Sequence, residues 1–295
     1  MKSALVIGMY KTGTTIVSSV IQNSITGAHL FVEPRNVAFF EKCGKTSFPR
    51  VVKILYEHWM QRPFLLTGII RGETGFHPDK TVAIVRDPRD GLISALMYSA
   101  YDCVLEGASN EQVNEWVEIV RDKEANPEKY SVISLIDNLN RIFNARCPPN
   151  WFFDSFMHYS AWMADNRNYF HVLRYEDFVA GDTAELSAYL GIELSSSREI
   201  DPSLQRVTRT KRSGGWRKMM LPQDVTYWRE RYGSALETCG YSDWELHPGQ
   251  FDPAVGSDYI LKITAEAFKS KQPKPAGPAI QVWTSSDQLV NFPIR

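Results

Sequence analysis

The stretch Ala4-Leu5-Val6-Ile7-Gly8-Met9-Tyr10-Lys11-Thr12-Gly13-Thr14-Thr15 decides how the rest of the chain is read. Its opening apolar run has the character of a buried parallel strand, and a helical segment follows at Ile16 to Gln22. A strand that passes through a glycine loop into a helix points backbone N–H groups and a helix N-terminus at a phosphate. The two glycines keep the G-x-x-x-x-G spacing of a Walker A loop, but Thr14 stands where its lysine belongs. Lys11 lies two places before Gly13, on the front edge of the loop. A nucleoside triphosphatase needs that lysine on its β- and γ-phosphates. The displaced lysine suits a different leaving group on a 5′-phosphate, so the loop is read as a phosphate cradle that does not serve ATP hydrolysis.

A second buried strand is predicted at Thr81-Val82-Ala83-Ile84-Val85, running into Arg86-Asp87-Pro88-Arg89-Asp90-Gly91-Leu92-Ile93-Ser94. Arg86 leaves that strand as a planar guanidinium suited to a phosphate. Ser94 lies eight residues on, about two turns into the next helix, where its hydroxyl can reach the same anion. In these two motifs the chain resembles the sulfotransferases that use 3′-phosphoadenosine 5′-phosphosulfate (PAPS). Lys11-Thr12-Gly13-Thr14-Thr15 looks like their 5′-phosphosulfate loop, and Arg86 with Ser94 looks like their 3′-phosphate motif. Two later stretches extend the resemblance. Leu173-Arg174-Tyr175-Glu176-Asp177-Phe178 is similar to a strand end common in the family. Arg209-Thr210-Lys211-Arg212-Ser213-Gly214-Gly215-Trp216-Arg217 is similar to its late basic loop and Gly-x-Trp signature. The matches fall in the family's order between about residues 3 and 240.

The resemblance implies PAPS as sulfuryl donor, a hydroxyl or amine of a small molecule or carbohydrate as acceptor, and no metal. It assigns the 5′-phosphate to Thr12, Gly13, Thr14 and Thr15, and the 3′-phosphate to Arg86, Ser94, Arg209, Thr210 and Lys211. Lys11 is expected to follow charge onto the leaving phosphate. The best-known cytosolic members take the acceptor's proton with a histidine in a Lys-Thr-His string on the strand before the 3′-phosphate motif. Here that place is read as Leu66-Thr67-Gly68-Ile69, without a histidine. Other branches use a glutamate near the end of the second strand, which makes Glu33 the expected base, with a carboxyl raised by neighbouring Phe31 and Phe40. His158, in Phe156-Met157-His158-Tyr159, is the second candidate. A P-loop nucleotide kinase and a catalytically dead nucleotide-binding scaffold are the competing readings. Thr14 opposes the first, and Lys11 together with both halves of the 3′-phosphate motif opposes the second.

A formal net charge of −1 gives no electrostatic case for nucleic acid or acidic membrane as partner, so basic surface must be local, as at Arg206–Lys218. Four scattered cysteines without a C-x-x-C pair oppose a zinc site and a disulfide scaffold. The N-terminus carries no signal-peptide pattern and no apolar run nears the length of a membrane span, so a cytoplasmic protein is expected.

Strands are predicted at 4–8, 29–32, 64–70, 81–85 and 169–174, and helices at 51–61, 91–101, 183–190 and 223–239. This alternation predicts an α/β domain over 1–247 with a central, mostly parallel sheet flanked by helices. The polar stretch 106–149 reads as a variable insertion placed to cover the acceptor site. Residues 248–295 read as a proline-rich linker and a tail with a strand-like run at 280–284, docked on the domain or on a partner. Met219-Met220-Leu221-Pro222 replaces the dimer motif of animal cytosolic members, which leaves the oligomeric state open.

Overall fold

Five short strands make one parallel sheet: β1 (Ser3–Gly8), β2 (His29–Val32), β3 (Arg50–Leu55), β4 (Lys80–Val85) and β5 (His171–Arg174). Their order is β2-β3-β1-β4-β5. The computed structural model describes residues 1–271 apart from Arg198 and Lys211, so the strand predicted at 280–284 lies outside the described residues. From β1 the chain runs to the edge strand β2, comes back to insert β3 beside β1, then adds β4 and β5 on the other side. The reversal between β1 and β4 opens a crevice at the carboxyl ends of the strands, where open α/β sheets bind ligands. The loops after β1 and β4, which carry the two motifs expected to bind phosphate, flank that crevice.

The helices are α1 (Thr14–Asn23), α2 (Val37–Gly44), α3 (Pro63–Ile70), α4 (Pro88–Glu106), α5 (Asn110–Ala125) and α6 (Val132–Phe143). They continue with α7 (Trp151–Asp165), α8 (Tyr175–Ala180), α9 (Ala184–Leu190), α10 (Trp216–Met219), α11 (Pro222–Thr238) and α12 (Ser257–Lys271). Among the described residues none is long and apolar enough to cross a membrane. The four cysteines are free thiols.

Two predicted elements exchange character. The stretch 51–61 was expected to be a helix and 64–70 a strand, but β3 and α3 occupy them the other way round. Val51, Val52 and Ile54 are β-branched and fully buried on both faces of the sheet, which suits a central strand. The apparent helical spacing of Val52, Leu55, Tyr56 and Trp59 arises because a single turn, Tyr56–His58, follows the strand directly. In α3, Pro63 occupies the first turn, where its missing N–H costs nothing. Leu66, Ile69 and Ile70 then share a buried side while Phe64 is 68% exposed, a helical period.

The chain divides into two compact units. The first comprises Met1–Ala95, Phe152–Arg217 and Trp228–Glu245 and contains the sheet. Ala4, Val6, Val51, Val82, Ile84 and Leu173 project from one face of it onto Ile16, Val17, Val20 and Ile21 of α1 and onto Phe178, Leu186 and Leu190. Leu5, Ile7, Val52 and Ile54, pointing the other way, are as well buried. Gly191 ends α9 in the left-handed conformation, φ 67°, that glycine adopts freely.

The second unit comprises Leu96–Trp151, Lys218–Tyr227 and the described part of Leu246–Arg295. Within it the polar stretch 106–149 forms two capped helices with a core of its own. Ser109 and Gln112 make a capping box on α5, and Trp116, Val117 and Val120 are buried. Glu124 accepts hydrogen bonds from Ser257 N and Oγ, both at 2.7 Å, and so caps α12. The buried Asp224 accepts from the N–H groups of Val132 (2.9 Å), Ile133 (3.2 Å) and Leu221 (2.9 Å), closing the start of α6. Asp224→Ala strands these donors and is expected to cost about 1–3 kcal/mol in urea unfolding. Faster amide exchange should be confined to the first turn of α6; unchanged stability would show that the carboxylate carries no structural load.

Candidate active site

The phosphate loop is built on backbone positions that only certain residues tolerate. Gly13 has φ 90°, and a Cβ there would lie 2.3 Å from the Tyr175 ring. A Cβ at Gly8 would lie 2.6 Å from Thr14 Cγ2 and 2.7 Å from Thr12 Oγ1. The two glycines therefore let the loop fold tightly over β1 and against α8. Thr12 ties the turn, its N–H and Oγ1 both donating to Met9 O at 3.2 and 2.7 Å. Thr14 and Thr15 open α1, whose first-turn N–H groups have no carbonyl partner within the helix. Lys11 is held at φ 62°, an uncommon conformation for a side-chain-bearing residue. Its ammonium donates to Val207 O at 3.1 Å.

The motif expected to hold the 3′-phosphate meets this loop directly, through Arg86. Arg86, 5% exposed, donates from one terminal nitrogen to Lys11 O at 2.8 Å and from the other to Arg212 O at 3.3 Å. Its guanidinium lies 4.6 Å from the centre of the Tyr175 ring. Its Nε is buried without a partner among the described residues, a cationic donor still able to take an anion. Ser94 is buried on α4, two turns from Arg86. Thr210 Oγ1 accepts from Arg212 N at 3.1 Å and folds the late basic loop on itself. Lys211 is outside the described residues. The same loop is anchored by Asp90, which accepts from Gly214 N at 2.5 Å and Trp216 N at 3.1 Å.

Sequence reasoning gave no role to Asp90 or Tyr175. Asp90 stands in the quoted Arg86–Ser94 string and Tyr175 in the Arg-Tyr-Glu-Asp string, so both were in view, and only the tertiary contacts reveal what they do. Glu176 of the same string accepts from Asp87 N at 2.9 Å and fixes the end of β4.

A second polar group forms where β2 and β3 end. Glu33 follows β2 with φ 56°, and its N–H donates to Lys53 O at 2.8 Å. Its side chain takes a 2.7 Å ion pair from Lys53, itself 4% exposed. Burial disfavours the Glu33 carboxylate, but the Lys53 ammonium and its hydrogen bond outweigh that and hold the carboxyl below its usual range. The expected raised carboxyl is therefore reversed; the phenylalanines supply less than Lys53 removes. Phe31 packs edge-on to Phe39, with centroids 5.3 Å apart, whereas Phe40 belongs to the core with Trp59 and Phe76.

The strand preceding the 3′-phosphate motif is β3, not 64–70, so its end reads Lys53-Ile54-Leu55 and again lacks a histidine. The turn after it carries Glu57 and His58, which sequence reasoning absorbed into a helix. Glu57 Oε1 accepts from Tyr10 N at 2.8 Å, next to Lys11. Burial lowers His58 to about 4, so its imidazole is neutral at pH 7. His158 is exposed on α7, and its Nδ1 shares a 2.7 Å hydrogen bond with the Tyr56 hydroxyl. Trp162 Nε1 donates to Thr67 Oγ1 at 3.1 Å.

The family model described as Sulfotransferase domain matches residues 2–269, and the chain belongs to this family. Among solved structures it is similar to the crystal structure of mouse sulfotransferase SULT7A1 complexed with PAP, at 16% identity and a TM-score of 0.49. That match covers 82% of this chain and 90% of the mouse chain. No curated protein matches the chain at a significant level.

The contact between Gly13 and Tyr175 yields a test of the loop's construction. Gly27 also has positive φ, 72°, but a Cβ there meets nothing within 4 Å. Gly27→Ala should cost only backbone strain, about 1 kcal/mol, whereas Gly13→Ala adds a ring collision and should cost roughly 2–3 kcal/mol more than that. Urea unfolding of both variants checks this; equal losses would mean the ring yields freely.

Proposed function

We propose that this sulfotransferase takes its sulfuryl group from PAPS and delivers it to a hydroxyl or amine of a small molecule or carbohydrate. The observation that carries the reading is Arg86. One guanidinium bridges the phosphate loop at Lys11 O and the late basic loop at Arg212 O, and keeps a buried Nε free of protein partners among the described residues. A donor with anions at both its 5′ and 3′ positions matches two phosphate-binding segments held at one arginine. The cradle around Gly8 and Gly13 has no room for added side-chain atoms, which suits close approach of backbone N–H groups to a phosphate. Arg209, Thr210 and Lys211, on the same late loop, are assigned with Arg86 and Ser94 to the 3′-phosphate.

When bound, the donor supplies an activated sulfuryl group, and the chain's own residues position and neutralise. The first turn of α1 and the hydroxyls of Thr12, Thr14 and Thr15 hold the 5′-phosphate. Lys11 is the group assigned to the charge that builds on that phosphate. To reach it, the ammonium exchanges Val207 O for the anion, a stronger charge-assisted partner. Glu33 and His158 were the expected proton acceptors; Glu33 must first give up its bond to Lys53, and His158 its bond to Tyr56.

Calorimetry with 3′,5′-adenosine bisphosphate, 5′-AMP and ATP tests the donor assignment. The bisphosphate should bind clearly tighter than 5′-AMP, and Arg86→Ala should remove about 1.5–3 kcal/mol of that advantage. Equal affinity for the bisphosphate and 5′-AMP would overturn the reading. Lys11→Ala should retain most bisphosphate affinity while turnover falls about a hundredfold, as for loss of a transition-state stabiliser. Unchanged turnover would take Lys11 out of the chemistry.

A further inference from the structure

Every transfer to a hydroxyl needs a group that receives the hydroxyl's proton, and the polar cluster at the ends of β2 and β3 holds several candidates in different states. Glu33 is committed to Lys53 at 2.7 Å. His58 is too weakly basic to compete at neutral pH. The Tyr56 and Tyr159 phenols are both driven up by burial and stay protonated. Glu57 differs from all of them. It sits in the single turn after β3, with Oε1 on Tyr10 N, one residue before the loop lysine. Its Oε2 is enclosed and has no hydrogen-bond partner among the described residues. A buried acceptor oxygen without a donor costs free energy, which an approaching O–H relieves.

We propose that Glu57 is the group that takes the proton from the acceptor, with Glu33 and Lys53 as the fixed pair that holds its surroundings. The proposal rests on the donor reading above. In the step, the acceptor oxygen forms a bond to sulfur while its proton passes to a Glu57 carboxylate oxygen. The bond between sulfur and the bridging oxygen breaks, and its electron pair stays on the departing phosphate beside Lys11. Glu57 then returns the proton to water.

The groups facing Glu57 set its proton affinity. Burial raises its carboxyl most; its own N–H and that of Tyr10 pull it down, the Glu33 charge pushes it up and Lys53 pulls it down. The balance leaves it at about 7, close to the working pH that suits a general base. A carboxyl raised on folding binds more protons in the native state. Its neutral carboxyl therefore carries no penalty below about pH 4.5, and stability falls as pH rises from about 4.5 through 7, where the buried carboxylate must form.

Glu57→Gln separates this role from a purely structural one, because the amide oxygen still accepts from Tyr10 N but takes no proton. The readouts are bisphosphate affinity by calorimetry, and turnover of labelled PAPS with 2-naphthol, or with water if the naphthol is not sulfated. Glu57→Gln should bind the bisphosphate as the wild type does, lose about a hundredfold in turnover, and lose the acidic limb near pH 7 from its pH profile. It should also be no less stable than the wild type at pH 8. Glu57→Asp should keep the limb at reduced rate. Wild-type chain that binds the bisphosphate no better than 5′-AMP overturns the donor reading itself. Normal bisphosphate binding with the acidic limb intact in Glu57→Gln overturns the role of Glu57 alone. So does a limb that disappears in Glu33→Gln instead.

Discussion

The guanidinium of Arg86 is the constraint on which the site's construction depends. Three segments far apart in sequence reach it: the loop after β1 through Lys11 O, the basic loop through Arg212 O, and the start of α8 through the Tyr175 ring. Tyr175 in turn lies against the only face of Gly13 from which a side chain would project, so the arginine, the ring and the glycine form one stack. The ring's own acidity is suppressed by burial, so Tyr175 gives Arg86 no negative charge, and the carboxylate that acts on it is that of Glu176, held at Asp87 N. Burying a cation is costly without an anion. Under the donor reading proposed above, the 3′-phosphate would supply a further anion at Arg86.

Acid–base function at the ends of β2 and β3 is divided by environment. Glu33 and Glu57 are the same chemical group, yet one lies below its ordinary range and the other above it. Burial raises both, and the division comes from Lys53 offsetting that burial at Glu33 far more than at Glu57. The Lys53 ammonium bonds Glu33 and only touches Glu57 at a distance, so it fixes the first as a permanent anion whose charge then makes the second harder to ionise. Pairs of titratable groups pushed apart in this way mark which is structural and which is free to exchange protons. The strained φ of Lys11 and Glu33 points to the same region. Among the described residues only Asn144 shares that conformation without glycine's freedom.

The phosphate loop, the strand before Arg86 and the parallel character of the sheet were legible because each is written in adjacent residues. Gly8 and Gly13 declare a tight turn, and the runs at 4–8 and 81–85 leave no polar face to mistake. The exchange of β3 and α3 was illegible for a local reason. Lys53 and Arg50 break the apolar run of a strand that is nonetheless buried, because Glu33 and the carbonyls of Thr46 and Phe48 satisfy those charges. Ion pairs of that kind join residues on different strands and leave no periodic trace. Misreading β3 as a helix also hid Glu57, which was read as one helical residue among others. Its importance depends on Tyr10 N, forty-seven residues away in sequence.

Lys11 joins the loop after β1 to the segment that leads into the late basic loop. Its carbonyl is held by Arg86 and its ammonium by Val207 O, at the end of the turn that leads into Arg209 and Arg212. The backbone of the lysine is therefore positioned by the 3′-phosphate motif, while its charge is parked on the segment that leads to the basic loop. Asp90 fixes the far end of that loop through Gly214 and Trp216, so displacement near Val207 is not absorbed there. An anion that draws the ammonium off Val207 O leaves that carbonyl without its donor, and the stretch from 207 to 212 must find another. Under the proposed donor reading, the 3′-phosphate assigned to Arg86, Ser94, Arg209, Thr210 and Lys211 would pull on the same stretch. Under that reading, occupation of one phosphate position would lower the cost of occupying the other, because both act on the segment that Lys11 and Asp90 hold.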